Sequence, residues 1–309
     1  MRGTSNYADY DAFANAAASF PPTARDGNTA QEVFQESYGV LDGLANKKPG
    51  EEFPRAMAWK AYALALTVYE GWDLPPNHPD GKLDEQARLK AAHDLCQKAI
   101  GLDKNDYDLH WAMADVHLIS KEFPEAVAEF EQALDLNRDA RHPSLFIEAG
   151  SAMMQAGEFE KAESCFRRAR APDWHHWSRG VYLYLKAGRA GADREAFLNL
   201  ALDDLKATHN QLGDDFYQSE IQIVLAAVHF RKAELFTAKA NNARNAGNAN
   251  DEARFNTYAA RNQAASARTI QNFNTAFPKA SAAQAIKSQS LDNGGDQAWW
   301  GDAMKALLP

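Results

Sequence analysis

Apolar and polar positions alternate at three- and four-residue spacing through most of the chain, the signature of amphipathic helices rather than strands. In "EFPEAVAEFEQALDLN", residues 122–137, the spacing puts Ala126, Phe130 and Ala133 on one helical face, between a helix-starting Pro and a helix-ending Asn. The same face returns 36 residues later as Ala162, Phe166 and Ala169, and 34 residues earlier as Ala92, Cys96 and Ala99. A further 34 residues beyond Ala162 and Phe166 stand Ala196 and Leu200. Ahead of each lies another apolar-faced segment: "AMAWKAYALALTVY", "DLHWAMADVHLIS", "LFIEAGSAMMQAG" and "HWSRGVYLYLKAG". The pattern predicts an all-α chain of repeated helix hairpins in which small residues let paired helices approach and the aromatic fills the space between hairpins.

Two helices joined by a short turn and repeating every 34 to 36 residues resemble the tetratricopeptide repeat (TPR) family. The match is best in the second unit, where Ala114 stands at the small crossing position ahead of Ala126, Phe130 and Ala133, and in the third, where Gly150 leads to Ala162, Phe166 and Ala169. The resemblance implies a right-handed TPR-type superhelix of antiparallel helix hairpins, followed here by a longer C-terminal helical hairpin. The expected organisation is an N-terminal extension with a short helix (1–28), a leading helix and linker (29–55), and a TPR array over 56–206. That array has about four units (56–104, 107–140, 143–173 and 174–206), and it precedes a long hairpin (214–278) and a tail with a short amphipathic helix (279–309). The outer units depart from the pattern: "GWDLPPNHPDGKLD" (71–84) lengthens the first turn, Cys96 replaces an aromatic and Asp203 replaces an alanine. More loosely, "LDKNDYDLHW", "LDLN" and "PDWHHWSRGVYL" look like the TPR segments appended to bacterial class III nucleotide cyclases, which implies a regulatory relative without a cyclase domain.

Charge narrows the class of partner. The net charge of -9 argues against nucleic acid or an anionic membrane as the main target, since phosphate-driven binding needs clustered Lys and Arg. No run approaches a membrane span, and the opening residues lack the apolar core of a signal peptide. A cytoplasmic location is expected, or a periplasmic one if a leader precedes residue 1. Cys96 and Cys165 stand far apart, which suits core packing better than a disulfide framework or a zinc site.

Candidate chemistry is sparse. There is no Gly-rich phosphate loop, G-x-S-x-G elbow or H-E-x-x-H helix, so neither enzymatic activity nor a cofactor is expected. His110 and His117 share a helical face, but in the TPR register they fall at packing positions, and no metal site is expected. Asp203–Asp204 and Asp214–Asp215 read as solvated or helix-capping carboxylates.

The TPR resemblance also implies a concave groove, lined by the first helix of each hairpin, that takes a peptide or a partner's helix. Carried over by position, it consists of Lys60 and Leu64; Asp108, Trp111, Asp115 and Leu118; Ser144, Ile147, Ser151 and Met154; and Ser178, Tyr182 and Lys186. Trp111 is the expected anchor, although a register shift of one residue would bury it. The chaperone-binding TPR subfamily is matched only at Lys60, because Leu64, Ala112, Ser144 and Glu148 fill its remaining groove positions. Arg254, Arg261 and Arg268 recur every seven residues as a second, basic stripe, either solvated or facing an acidic partner or another copy of the chain. Trp299 and Trp300 either cap the last helix or dock into a groove. The expected function is a scaffold or adaptor binding a protein or peptide. The alternatives are a regulatory or sensory module that self-assembles or joins an enzyme, and a metal or small-molecule binder using His110, His117 and the 71–84 loop.

Overall fold

The structure, a computed structural model, describes residues 7–19, 29–48, 51–69, 71–137, 143–169, 172–211 and 217–276. Among them the chain is all-α, with no strand. The helices are α1 (Tyr7–Ala17), α2 (Ala30–Ala45), α3 (Pro54–Tyr69), α4 (Glu85–Leu102), α5 (Tyr107–Ile119), α6 (Phe123–Leu136), α7 (Pro143–Gln155), α8 (Phe159–Ala169), α9 (Pro172–Arg189), α10 (Arg194–Gln211), α11 (Tyr217–Asn245) and α12 (Ala249–Ala276). The chain divides into two compact units, Met1–Ala152 and Met153–Pro309.

Local chemistry sets the helix ends. Thr29 and Glu32 form a reciprocal capping box at the start of α2, Asp84 accepts the Ala87 N–H at the start of α4, and Asp106 accepts the Asp108 N–H at the start of α5. Gly247, at φ 71°, makes the left-handed turn between α11 and α12, which form the expected longer C-terminal hairpin.

In the first unit α3 packs on α2, α4 and α5, and α5 on α6. The TPR-type packing positions are buried here: Ala92, Cys96, Ala99, Ala114, Ala126, Phe130 and Ala133 are all fully enclosed. The long first turn is held rather than loose. Gln31 and Gln35 of α2 donate side-chain N–H to the carbonyl of Asp73, Trp72 packs on Phe34 with ring centroids 5.0 Å apart, and Pro79–Lys82 forms a 3-10 turn.

In the second unit Ala162, Phe166 and Ala169 are likewise buried, α9 packs on α8 and α10, and α10 packs on α11. A Cβ added at Gly180 would lie 2.7 Å from Leu205 Cγ, so the close crossing of α9 and α10 depends on that glycine. Cys96 and Cys165 are both buried, as core residues. The 279–309 tail, including Trp299 and Trp300, lies outside the described residues.

Candidate functional site

The site is assembled where the first helices of successive hairpins come together in the first unit. Arg55, near the start of α3, reaches the start of α5: its Nε and Nη2 donate to the two carboxylate oxygens of Asp106 at 2.6 and 3.1 Å, and its Nη1 lies 3.1 Å from Asp108 Oδ2. Asp106 is only 5% exposed, so this bidentate pair fixes the relative position of the two helix ends. Arg55→Met would leave that carboxylate buried without its cation. The expected cost is about 3 kcal/mol of stability, read as a lowered midpoint of urea unfolding; a midpoint equal to wild type would show that the pair is dispensable.

Between these helices and the first turns of α7 lies an open cavity of about 70 Å³, lined by Trp59 and Tyr62 from α3, Asp108, Trp111, Ala112 and Asp115 from α5, and Ser144 and Glu148 from α7. The rings stand nearly edge-on to one another, Trp59 to Tyr62 at 5.8 Å and Trp59 to Trp111 at 6.4 Å between centroids. Trp111 is half-buried, and its indole N–H donates to Glu148 Oε2.

Two acids on the wall differ from Asp108 in having no cation. Asp115 is 6% exposed, and among the described residues no group donates a hydrogen bond to its carboxylate. Burial pushes its pKa well up, and the charge of Glu148 adds to the effect. Burial also pushes Glu148 up, to about 7, against the pull of the Trp111 N–H. The pocket therefore combines π faces with two carboxylates that are partly withdrawn from water and have no cation among the described residues.

The structure thus brings Asp108, Trp111, Asp115 and Ser144 together. It corrects other groove positions. Lys60 and Leu64 do not line the pocket: Lys60 is 9% exposed and pairs with Asp42 of α2 at 2.6 Å and Asp80 at 3.2 Å, while Leu64 is buried in the core. Trp59 and Tyr62 of the same helix line the pocket in their place. Leu118, Ile147 and Ser151 are partly exposed outside the pocket, and the Ser151 hydroxyl donates to the Ile147 carbonyl.

In the second unit Met154 and Tyr182 are buried and offer a partner no surface; the Tyr182 hydroxyl donates to Glu163, and its ring packs on Phe159 and Phe166. Lys186 donates to the Tyr182 hydroxyl and lies 5.0 Å above the Phe197 ring. The Ser178 side chain and Asp214–Asp215 fall outside the described residues. Asp203 is exposed, whereas Asp204 is buried and accepts from Arg179 at 3.3 Å. Arg254, Arg261 and Arg268 are all exposed on α12, with Arg254 paired to Asp251 at 2.9 Å and stacked over Phe255.

The histidines of α5 are engaged structurally. His110 Nδ1 lies 2.7 Å from Glu129 and its Nε2 3.0 Å from the Lys104 carbonyl, and the Glu129 hydrogen bond raises its pKa. His117 Nδ1 lies 2.6 Å from Glu122. Among the described residues, the group whose ligand atoms have metal-like spacing is Asp42, His78 and Asp80. The Lys60 ammonium already sits against both of its carboxylates, and the Tyr38 hydroxyl donates to Asp80 at 2.6 Å. That set is therefore a satisfied ion cluster pinning the long turn to α2 and α3.

Sequence reasoning missed Trp59, Tyr62 and the acidic role of Glu148. The available signal was an aromatic pair three residues apart in an otherwise Ala- and Leu-rich helix.

No family model matches the chain, and no curated protein does. Among solved structures, it is similar to TTC0263, a thermophilic TPR protein of Thermus thermophilus (14% identity, TM-score 0.46, 71% of this chain and 98% of that one). It is also similar to human IFIT1, solved as a dimer with PPP-AAAA (12% identity, TM-score 0.45, 89% and 69%), and to YrrB, a TPR protein with an unusual peptide-binding site (15% identity, TM-score 0.38, 65% and 83%). Nothing in these comparisons supports the looser resemblance to cyclase-appended segments. No helix among the described residues is long and apolar enough to cross a membrane.

Proposed function

We propose that the protein is a non-enzymatic scaffold or adaptor that binds a segment of another polypeptide along α3, α5 and the first turns of α7. The observation that carries this reading is the pocket itself, where successive hairpins contribute Trp59, Trp111, Asp115 and Glu148 to one open cavity. Half-buried aromatics bordering acids that are largely withdrawn from solvent are the composition of an interface anchor point, and no Lys or Arg lines the cavity to cradle an anion. A photo-reactive phenylalanine analogue at Ser144, exposed on the rim, should crosslink a partner polypeptide in cells, whereas the same group at Lys98, exposed on α4, should not. Trp111→Ala should abolish the Ser144 crosslink. Crosslinks of equal yield at both sites, or one indifferent to Trp111→Ala in a protein that still melts cooperatively, would sink the reading.

The exposed stripe on α12 supports a second reading, a regulatory module that assembles with itself or an enzyme. Reversing Arg254, Arg261 and Arg268 to Glu should then lower the mass seen by light scattering or strip away associated proteins. Unchanged mass and unchanged associates would remove it.

A further inference from the structure

The pocket has the parts of a receptor for one kind of side chain. Its walls are the faces and edges of Trp59, Tyr62 and Trp111. Asp108, at one end, already has Arg55 as its counter-ion. Asp115 and Glu148 have none: among the described residues no Lys or Arg lies within ion-pair distance of either. Asp115 is more than nine-tenths buried, borders the cavity and accepts no hydrogen bond from the described residues. Its carboxylate can be reached only through the open cavity, where an incoming cationic donor would give it the counter-ion that the described residues do not.

Resting on the reading of this cavity as a binding surface, we propose that it receives the guanidinium of an arginine side chain presented by a partner polypeptide. The guanidinium is planar and weakly hydrated, so it sheds water at low cost, stacks on indole faces and still has N–H groups for two separate carboxylates. A lysine ammonium is a compact, strongly hydrated charge and loses more on entering an aromatic enclosure. A norleucine side chain would leave both acids as unsatisfied as before.

Entry of the cation has a proton signature. Burial pushes both carboxyls up, Glu148 to about 7, so proton uptake by the empty pocket competes with a bound guanidinium, which favours the ionised forms. Binding therefore releases protons and weakens as pH falls. The neighbouring groups are Tyr62 of α3, the Arg55–Asp108 pair, Cys96 of α4, whose thiol is held well up by burial and by the charges of Asp115 and Glu129, and Glu129 of α6, which is hydrogen-bonded to His110.

The test uses the full chain with 15N-labelled tryptophan and three blocked tripeptides, acetyl-Gly-X-Gly-amide with X as Arg, Lys or norleucine. The Trp111 indole resonance, identified by its loss in Trp111→Phe, should move saturably with the Arg peptide and much less with the other two. Asp115→Asn should weaken binding at least about tenfold without lowering the melting temperature. Calorimetry in buffers of different ionisation enthalpy should show proton release near pH 7 that shrinks in the variant. Absence of a shift, or equal response to the Lys or norleucine peptide, overturns the proposal. If the Ser144 crosslink persists while the Arg peptide is inert, the guanidinium assignment alone falls; if both fail, the binding reading falls with it.

Discussion

Phe130→Ala is expected to cost about 3–5 kcal/mol of stability, and Phe130→Leu less than about 1.5 kcal/mol. Phe130 is fully buried on α6, flanked along the same face by Ala126 and Ala133, which are equally enclosed. Ala126 and Ala133 are too short to fill the space that truncation would open, so a cavity remains and its cost adds to the lost transfer energy. Phe166 stands between Ala162 and Ala169 in the second unit and also packs on Tyr182, and its truncation should cost a similar amount. Urea unfolding followed by circular dichroism measures the change. A loss below about 1 kcal/mol would mean that the aromatic is not the wedge between hairpins.

That the packing residues were legible and the pocket was not has a physical cause. Ala126, Phe130 and Ala133 answer to a steric rule, small residues within a hairpin and an aromatic toward the next, that repeats with the chain, so periodicity exposes it. The pocket depends on how far each first helix is rotated about its own axis, and no local pattern fixes that. On α3 the face is shared with partners in other elements: Lys60 pairs with Asp42 of α2 and with Asp80 in the long turn, while Trp59 and Tyr62 line the cavity. Extrapolating the repeat register to Lys60 and Leu64 therefore missed Trp59 by one position and Tyr62 by two. On α5 the ties from Arg55 and Glu129 are made by Asp106, Asp108 and His110, and Trp111 at its expected groove position is half-buried with its ring on the cavity. The 71–84 segment shows the same limit, since its composition signals a lengthened turn while the Gln31 and Gln35 amides that tie it down lie about 40 residues upstream.

Asp115→Asn is expected to make the protein more stable, by about 1–3 kcal/mol at pH 8, because it removes a buried charge that no described donor satisfies and that Glu148 repels. The pH dependence gives the sign. At low pH both carboxyls are protonated in the folded and unfolded chain alike, and the pair costs little. As pH rises past the ordinary carboxylate range the unfolded chain gives up protons that the folded pocket keeps, so this contribution to stability falls until the folded pKa is passed, about 7 for Glu148. In the wild type this contribution should therefore fall between about pH 4 and pH 7, and Asp115→Asn should flatten it. Thermal melts at pH 5 and pH 8 read the difference directly. If the variant is less stable at both pH values, Asp115 has a partner within the fold, and its claim on an outside cation lapses. A stabilising Asn would instead mean that the chain carries a cost at Asp115 which the folded state alone does not explain, the trade expected of a residue kept for what it binds.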